Sequence, residues 1–314
     1  MSGKIGIALG GGAARGWAHI GVLKVLAEAG IVPDIVAGTS IGAVVGGCWG
    51  AGELAELEDF ARGLTRRKVF GYLDFNLAGS GLITGNRLSD RLMKSLGARS
   101  IEDLDCSFTA VATELGTGHE VWLSRGSLVD AIRASYALPG IFKPVSIANR
   151  WLFDGALVNP IPVSVCRALG ARYVIAVNLN ADFCGRGTVI PHGAEPEPMR
   201  ATVDVEVEAS GQSGAKKLLL RQMFGRGDGG PGISSVMFDA FSIVQDRIAR
   251  SRLAGDPPDA IVSPRLGPIG PFDFHRADEL IALGEKAARR AVEDIARELE
   301  ARRAMDRRRH ATAR

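Results

Sequence analysis

Short apolar runs alternate along the chain with stretches of helical spacing. Residues 5–9, 35–37, 108–113, 151–153 and 173–179 are compact runs of strand length with no charged side chain. Between and after them, 17–29 sets Ile20, Leu23 and Leu26 three apart, and 277–303 sets Leu280, Leu283, Ala287, Ala291, Ile295 and Leu299 on one face, which is amphipathic-helix periodicity. Strands without polar alternation are buried on both sides, so the order predicts an α/β fold of three layers, a mainly parallel central sheet flanked by helices. The periodicity lapses across 180–233, where Gly, Pro, Glu and Arg rise and only 217–224 keeps an apolar rhythm. These patterns predict a single domain over 1–300, interrupted by an insertion or lid at 181–232 and followed by a basic tail at 301–314. A further concentration of large apolar side chains, from Phe70 to Leu77, suits either the lining of an apolar channel or ordinary core.

From Ile35 to Gly52 there is no charge, which invites comparison with a short membrane span. Six glycines and a tight turn inside that stretch favour a buried strand, turn and helix instead. Lys4 ahead of an apolar run resembles a signal peptide, but Gly10 to Gly12 and Arg15 break the run, so a cytoplasmic protein is expected. Cys48, Cys106, Cys166 and Cys184 have neither C-x-x-C nor paired-histidine spacing and read as core thiols. No metal, organic cofactor or nucleic-acid partner is expected. The net charge of +3 is uneven: residues 289–314 hold nine arginines against five carboxylates, leaving −1 for the rest. Such a tail suits peripheral contact with anionic headgroups at the inner face of a membrane, or a solvated terminus.

Two glycine-rich segments carry the candidate chemistry. Gly38-Thr39-Ser40-Ile41-Gly42 follows the apolar run Ile35-Val36-Ala37 and has the G-x-S-x-G form of a nucleophile elbow, a sharp strand-to-helix turn that lifts a serine hydroxyl off the sheet. Ahead of it, Gly10-Gly11-Gly12-Ala13-Ala14-Arg15-Gly16 joins a strand to a helix, so unpaired amides lie beside a positive helix N-terminus that can hold an anion. A P-loop would need Lys-Ser or Lys-Thr after the glycines, and the dinucleotide pattern would need glycine where Arg15 stands. The remaining anion is the oxyanion of acyl transfer. A phosphate-binding regulatory loop, and a tight connection with no ligand, stay open at this stage.

A serine needs a base. Asp154, followed by Gly155 at the end of the run 151–153, is either that base or a turn former. With His192 or His275 it would instead complete a Ser-Asp-His order, as in a carboxylesterase. Taken together, Gly10-Gly11-Gly12-Ala13-Ala14-Arg15-Gly16, Gly38-Thr39-Ser40-Ile41-Gly42 and Asp154-Gly155-Ala156 resemble the patatin-like phospholipase family in its bacterial form. The segment 134–142 between them is similar too, and the likeness covers about 5–180, with a weaker echo from Ser242 through Asp259 to Asp273. The resemblance implies a Ser40-Asp154 dyad without histidine, an oxyanion hole from the amides of Gly10, Gly11 and Gly12, and a loop-fixing role for Arg15. It also implies fatty-acyl esters of phospholipids or lysophospholipids as substrates. Ala156 stands where many members have a second glycine.

Overall fold

A computed structural model of the chain describes residues 3–72, 86–182, 233–267 and 269–312. The insertion or lid expected at 181–232 therefore lies outside the described residues except for 181 and 182, and so does the 70–77 segment apart from its helical backbone to Tyr72. Among the described residues eight strands form one sheet: β1 (Ile5–Leu9), β2 (Ile35–Thr39), β3 (Ser107–Glu114), β4 (Glu120–Leu123), β5 (Val145–Ile147), β6 (Arg150–Asp154), β7 (Tyr173–Val177) and β8 (Ala260–Val262). Hydrogen-bonded neighbours follow the path β5-β6-β3-β2-β1-β7-β8, with β4 also paired to β3. The strands β3-β2-β1-β7-β8 are mutually parallel, and β4, β5 and β6 are joined antiparallel. This is the expected three-layer, mainly parallel arrangement.

The pleat sorts side chains between two helical layers. Ile7, Leu9, Val36, Ile175 and Val177 face one core, shared with α1 (Ala18–Glu28), α2 (Ile41–Gly50) and the last helix (Ala277–Thr312). Their neighbours Ala8, Ala37, Val174 and Ala176 face the other, against the helices Val163–Ala168 and Ile233–Gly255. Each fully buried Leu or Ile contributes about 1.5–3 kcal/mol. Of the face expected on the last helix, Leu280, Ile295 and Leu299 are buried and Leu283, Ala287 and Ala291 pack partly against the core. That helix runs on to Thr312, past the 303 expected from its apolar spacing, because nothing in the arginine-rich stretch breaks a helix.

The uncharged stretch 35–52 becomes β2, the turn at Ser40 and α2. Among the described residues no helix is long and apolar enough to cross a membrane. Cys48 and Cys166 are buried and Cys106 partly so, all as free thiols; Cys184 lies outside the described residues.

Sheet register brings distant residues together. β4 pairs with Ala110 to Thr113 and so occupies one edge of β3; β2 and β6 must share the other. On that edge Thr39 lies opposite Val111 and Asp154 opposite Ala112. The last residue of β2 and the last residue of β6 thus occupy adjacent ladder positions, which sets the residue after Thr39 beside Asp154.

Candidate active site

Ser40 caps α2 with φ 56° and ψ −124°, a conformation that L side chains rarely adopt and that marks stored backbone strain. The flanking glycines serve close approach: a Cβ at Gly42 would collide with the Leu9 carbonyl, and one at Gly38 with the first turn of α2. Two long-range bonds hold the turn. The Ser40 amide donates to Ser135 Oγ at 2.9 Å, and that hydroxyl donates in turn to the Val111 carbonyl at 2.6 Å. Thr39 Oγ1 donates to the Asn159 carbonyl at 2.8 Å.

The Ser40 side chain makes no cap bond to its own helix. Its Oγ donates to Asp154 Oδ2 at 2.6 Å. The other carboxylate oxygen accepts the Ala156 amide at 2.8 Å, while the Asp154 backbone is bound by the Ala137 carbonyl and by Thr113 Oγ1. Gly155 passes so close to the Val111 carbonyl that a Cβ there would clash. Asp154 is only 2% exposed, and Ser40, partly exposed, is its link to solvent. Burial pushes the Asp154 carboxyl up to about 7, against the opposing pull of the Ser40 hydroxyl and the Ala156 amide. A carboxylate so placed is a far better base near neutrality than a free aspartate.

The glycine loop lies against this pair, Gly11 abutting Ser40 and Ala156. Its three glycine amides, which the sequence treats alike, have different partners. Gly10 N–H extends the sheet ladder to the Val177 carbonyl at 3.2 Å, and Gly11 N–H donates to the Pro160 carbonyl at 3.0 Å. Among the described residues the amides of Gly12, Ala13 and Ile41 donate to no acceptor. Ile41 opens α2, where an orphan N–H and the helix dipole both favour negative charge.

Arg15 is buried and spans the chain: its Nε and Nη2 both donate to the Ile269 carbonyl, at 2.9 and 2.8 Å. Ala14 N–H to Pro271 O and Trp17 Nε1 to Phe274 O reinforce the same junction, so Arg15 anchors the loop. Gly16, one residue on, packs against Ile41.

The histidines of the alternative triad are elsewhere. His275 Nε2 accepts from Arg66 Nε at 3.2 Å, and His192 lies outside the described residues. Among the described residues no histidine bonds to Ser40 or Asp154, nor does any group of three or more His, Cys, Asp and Glu side chains have the arrangement to hold a metal ion.

A family model described as patatin-like phospholipase matches residues 7–167, just over half of the chain. The chain belongs to the patatin-like phospholipase family. At family level this makes it a lipid acyl hydrolase. An uncharacterised NTE family protein of Mycobacterium tuberculosis is 33% identical over 92% of this patatin-like phospholipase chain and 91% of its own length. A lysophospholipase of Emericella nidulans is 33% identical over 56% of this chain and 12% of its own. The crystal structure of VipD from Legionella pneumophila superposes with a TM-score of 0.48 and 12% identity, over 94% of this chain and 67% of that one.

Ser135 is the site residue that local motif reading passes over, since its partners lie 95 and 24 residues away. Ser135→Ala in this patatin-like phospholipase leaves the part-buried Ser40 amide without its acceptor. The expected result is a loss of about 1–3 kcal/mol in denaturant unfolding and a kcat lowered roughly tenfold to hundredfold by misplacement of the Ser40 hydroxyl. Ser135→Thr, which keeps the hydroxyl, is expected to restore most of both.

Proposed function

We propose that this chain is a serine acyl hydrolase that cleaves fatty-acyl esters of phospholipids or lysophospholipids, with Ser40 as nucleophile and Asp154 as its base. The observation that carries the reading is the 2.6 Å bond from Ser40 Oγ to a buried carboxylate, at a strained turn beside a loop with free amides. Asp154 takes the hydroxyl proton as Ser40 Oγ attacks the ester carbonyl. The proton passes to the leaving alkoxide, and the acyl group stays on Ser40. Water, deprotonated by the same carboxylate, then releases the fatty acid. The amides of Gly12 and Ile41 supply the oxyanion donors in this reading. Both are preorganised, so they stabilise the charge that develops on the carbonyl oxygen without reorganising at the moment of reaction.

The substrate class is supported by the family and by the lysophospholipase among its relatives. The excess of arginine at the C-terminus suits a protein that meets anionic headgroups on the cytoplasmic side of a membrane. Fatty-acid release from vesicles of phosphatidylcholine, phosphatidylglycerol and their lyso forms tests the reading. Release from at least one of these is expected. No release from any acyl ester, together with saturable nucleotide binding, would replace it with the phosphate-loop alternative.

A further inference from the structure

His19 is wholly buried on α1, and the chemistry above gives it no role. Its Nε2 lies 2.8 Å from the Gly10 carbonyl oxygen. A carbonyl only accepts, so Nε2 carries the hydrogen and Nδ1 holds the lone pair. That Nδ1 is buried with no partner among the described residues, an arrangement that disfavours histidine on stability grounds alone. Burial also pulls the imidazole down to about 4, so the ring is neutral at working pH.

The bond acts on the most adaptable backbone in the site. In the peptide between Gly10 and Gly11 the carbonyl is held by His19 and the N–H by the Pro160 carbonyl. A trans peptide is planar with those groups pointing opposite ways, so holding both ends fixes the plane. In the next peptide Asn180 Nδ2 donates to the Gly11 carbonyl at 3.4 Å, which turns the Gly12 N–H to the opposite side. Three consecutive glycines would otherwise permit peptide flips that reverse these amides.

We propose that His19 is a positioning residue for acyl transfer: by locking the Gly10 carbonyl through Nε2–H it sets the plane of the glycine loop, and so the direction in which the Gly12 amide meets the oxyanion. This rests on the acyl-hydrolase reading. Asn180 acts as the second point of the same clamp.

His19→Leu fills similar space without a donor, whereas His19→Gln keeps an N–H donor at comparable reach. With a soluble fatty-acyl ester, the Leu variant is expected to lose about 10²-fold in kcat, the scale of one misdirected oxyanion donor, with KM within about twofold. The Gln variant is expected to recover most of the loss. In the wild type, ¹⁵N NMR of the side chain at neutral pH is expected to show the Nε2–H tautomer. A folded Leu variant with wild-type kcat, equal losses in folded Leu and Gln variants, or an Nδ1–H tautomer in the wild type would each overturn the proposal, and the last requires no variant to fold. A wild type that neither hydrolyses acyl esters nor is labelled at Ser40 by a fluorophosphonate overturns the hydrolase reading itself and this proposal with it; an active, labelled wild type beside an unaffected Leu variant overturns only the role of His19.

Discussion

Ser40→Ala is expected to lower kcat on the order of 10⁶-fold, the scale on which removing its nucleophile disables a serine hydrolase. No neighbouring group can replace it: the hydroxyl of Ser135 is committed to the Val111 carbonyl and the Ser40 amide. The fold is expected to survive, because the backbone strain at φ 56° is no greater for alanine than for serine. Ser40→Gly is a useful companion. It is equally inactive, but glycine adopts this conformation freely, so it is expected to unfold about 1–3 kcal/mol later than the alanine variant, the typical strain at such a residue. Fatty-acid release assays and urea unfolding of the three proteins check both parts.

Asp154→Asn is expected to cost roughly 10²- to 10⁴-fold in kcat, the usual contribution of a general base, while making the protein more stable at alkaline pH. An asparagine can keep both bonds, accepting from the Ala156 amide and donating to Ser40 Oγ, but cannot take a proton. The stability effect follows from burial. The carboxyl moves from 3.8 to about 7 on folding, so the folded state holds a proton that the unfolded state has released between those values. The stability contributed by Asp154 is therefore full below pH 3.8 and declines as pH rises to about 7. Above that it stays lost, by up to about 4 kcal/mol. The asparagine variant lacks this titration, and its advantage over wild type is expected to grow from pH 4 to pH 7 and then level off. Denaturant midpoints across that range, at matched m-values, read it directly. A site that is less stable when its base is charged is one where function has been kept at the expense of the fold.

Local pattern exposes the parts of this site that are built from neighbours in sequence. A strand of Ile, Ala and Leu opening into glycines, and a second ending in Gly-Thr-Ser-Ile-Gly, reveal β1, β2 and their following helices without any tertiary information. What local pattern misses is where backbone groups are spent. Three successive glycines look alike, yet Gly10 continues a sheet ladder, Gly11 rests on the Pro160 carbonyl and only Gly12 keeps its amide free. Nor does spacing reveal that β6 runs antiparallel and occupies the same edge of β3 as β2, the arrangement that brings Asp154 to Ser40 across 114 residues. Ser135, His19 and Asn180 escape for the same reason: each acts on a backbone atom rather than through a motif of its own. For Arg15 the family resemblance implies a loop-fixing role, but spacing gives no hint of its partner, the Ile269 carbonyl 254 residues on.

The central claim is that a buried carboxylate activates Ser40, and the rate of fluorophosphonate labelling as a function of pH tests it most directly. With the modified peptide mapped to Ser40, the wild-type rate is expected to rise about tenfold per pH unit, as for a single ionisation, and to level off above about 7, where Asp154 is charged. The Asp154→Asn variant is expected to label slowly and without that rise. Rapid labelling of Ser40 that is flat from acid to alkaline pH, or that Asp154→Asn leaves unchanged, would contradict the account.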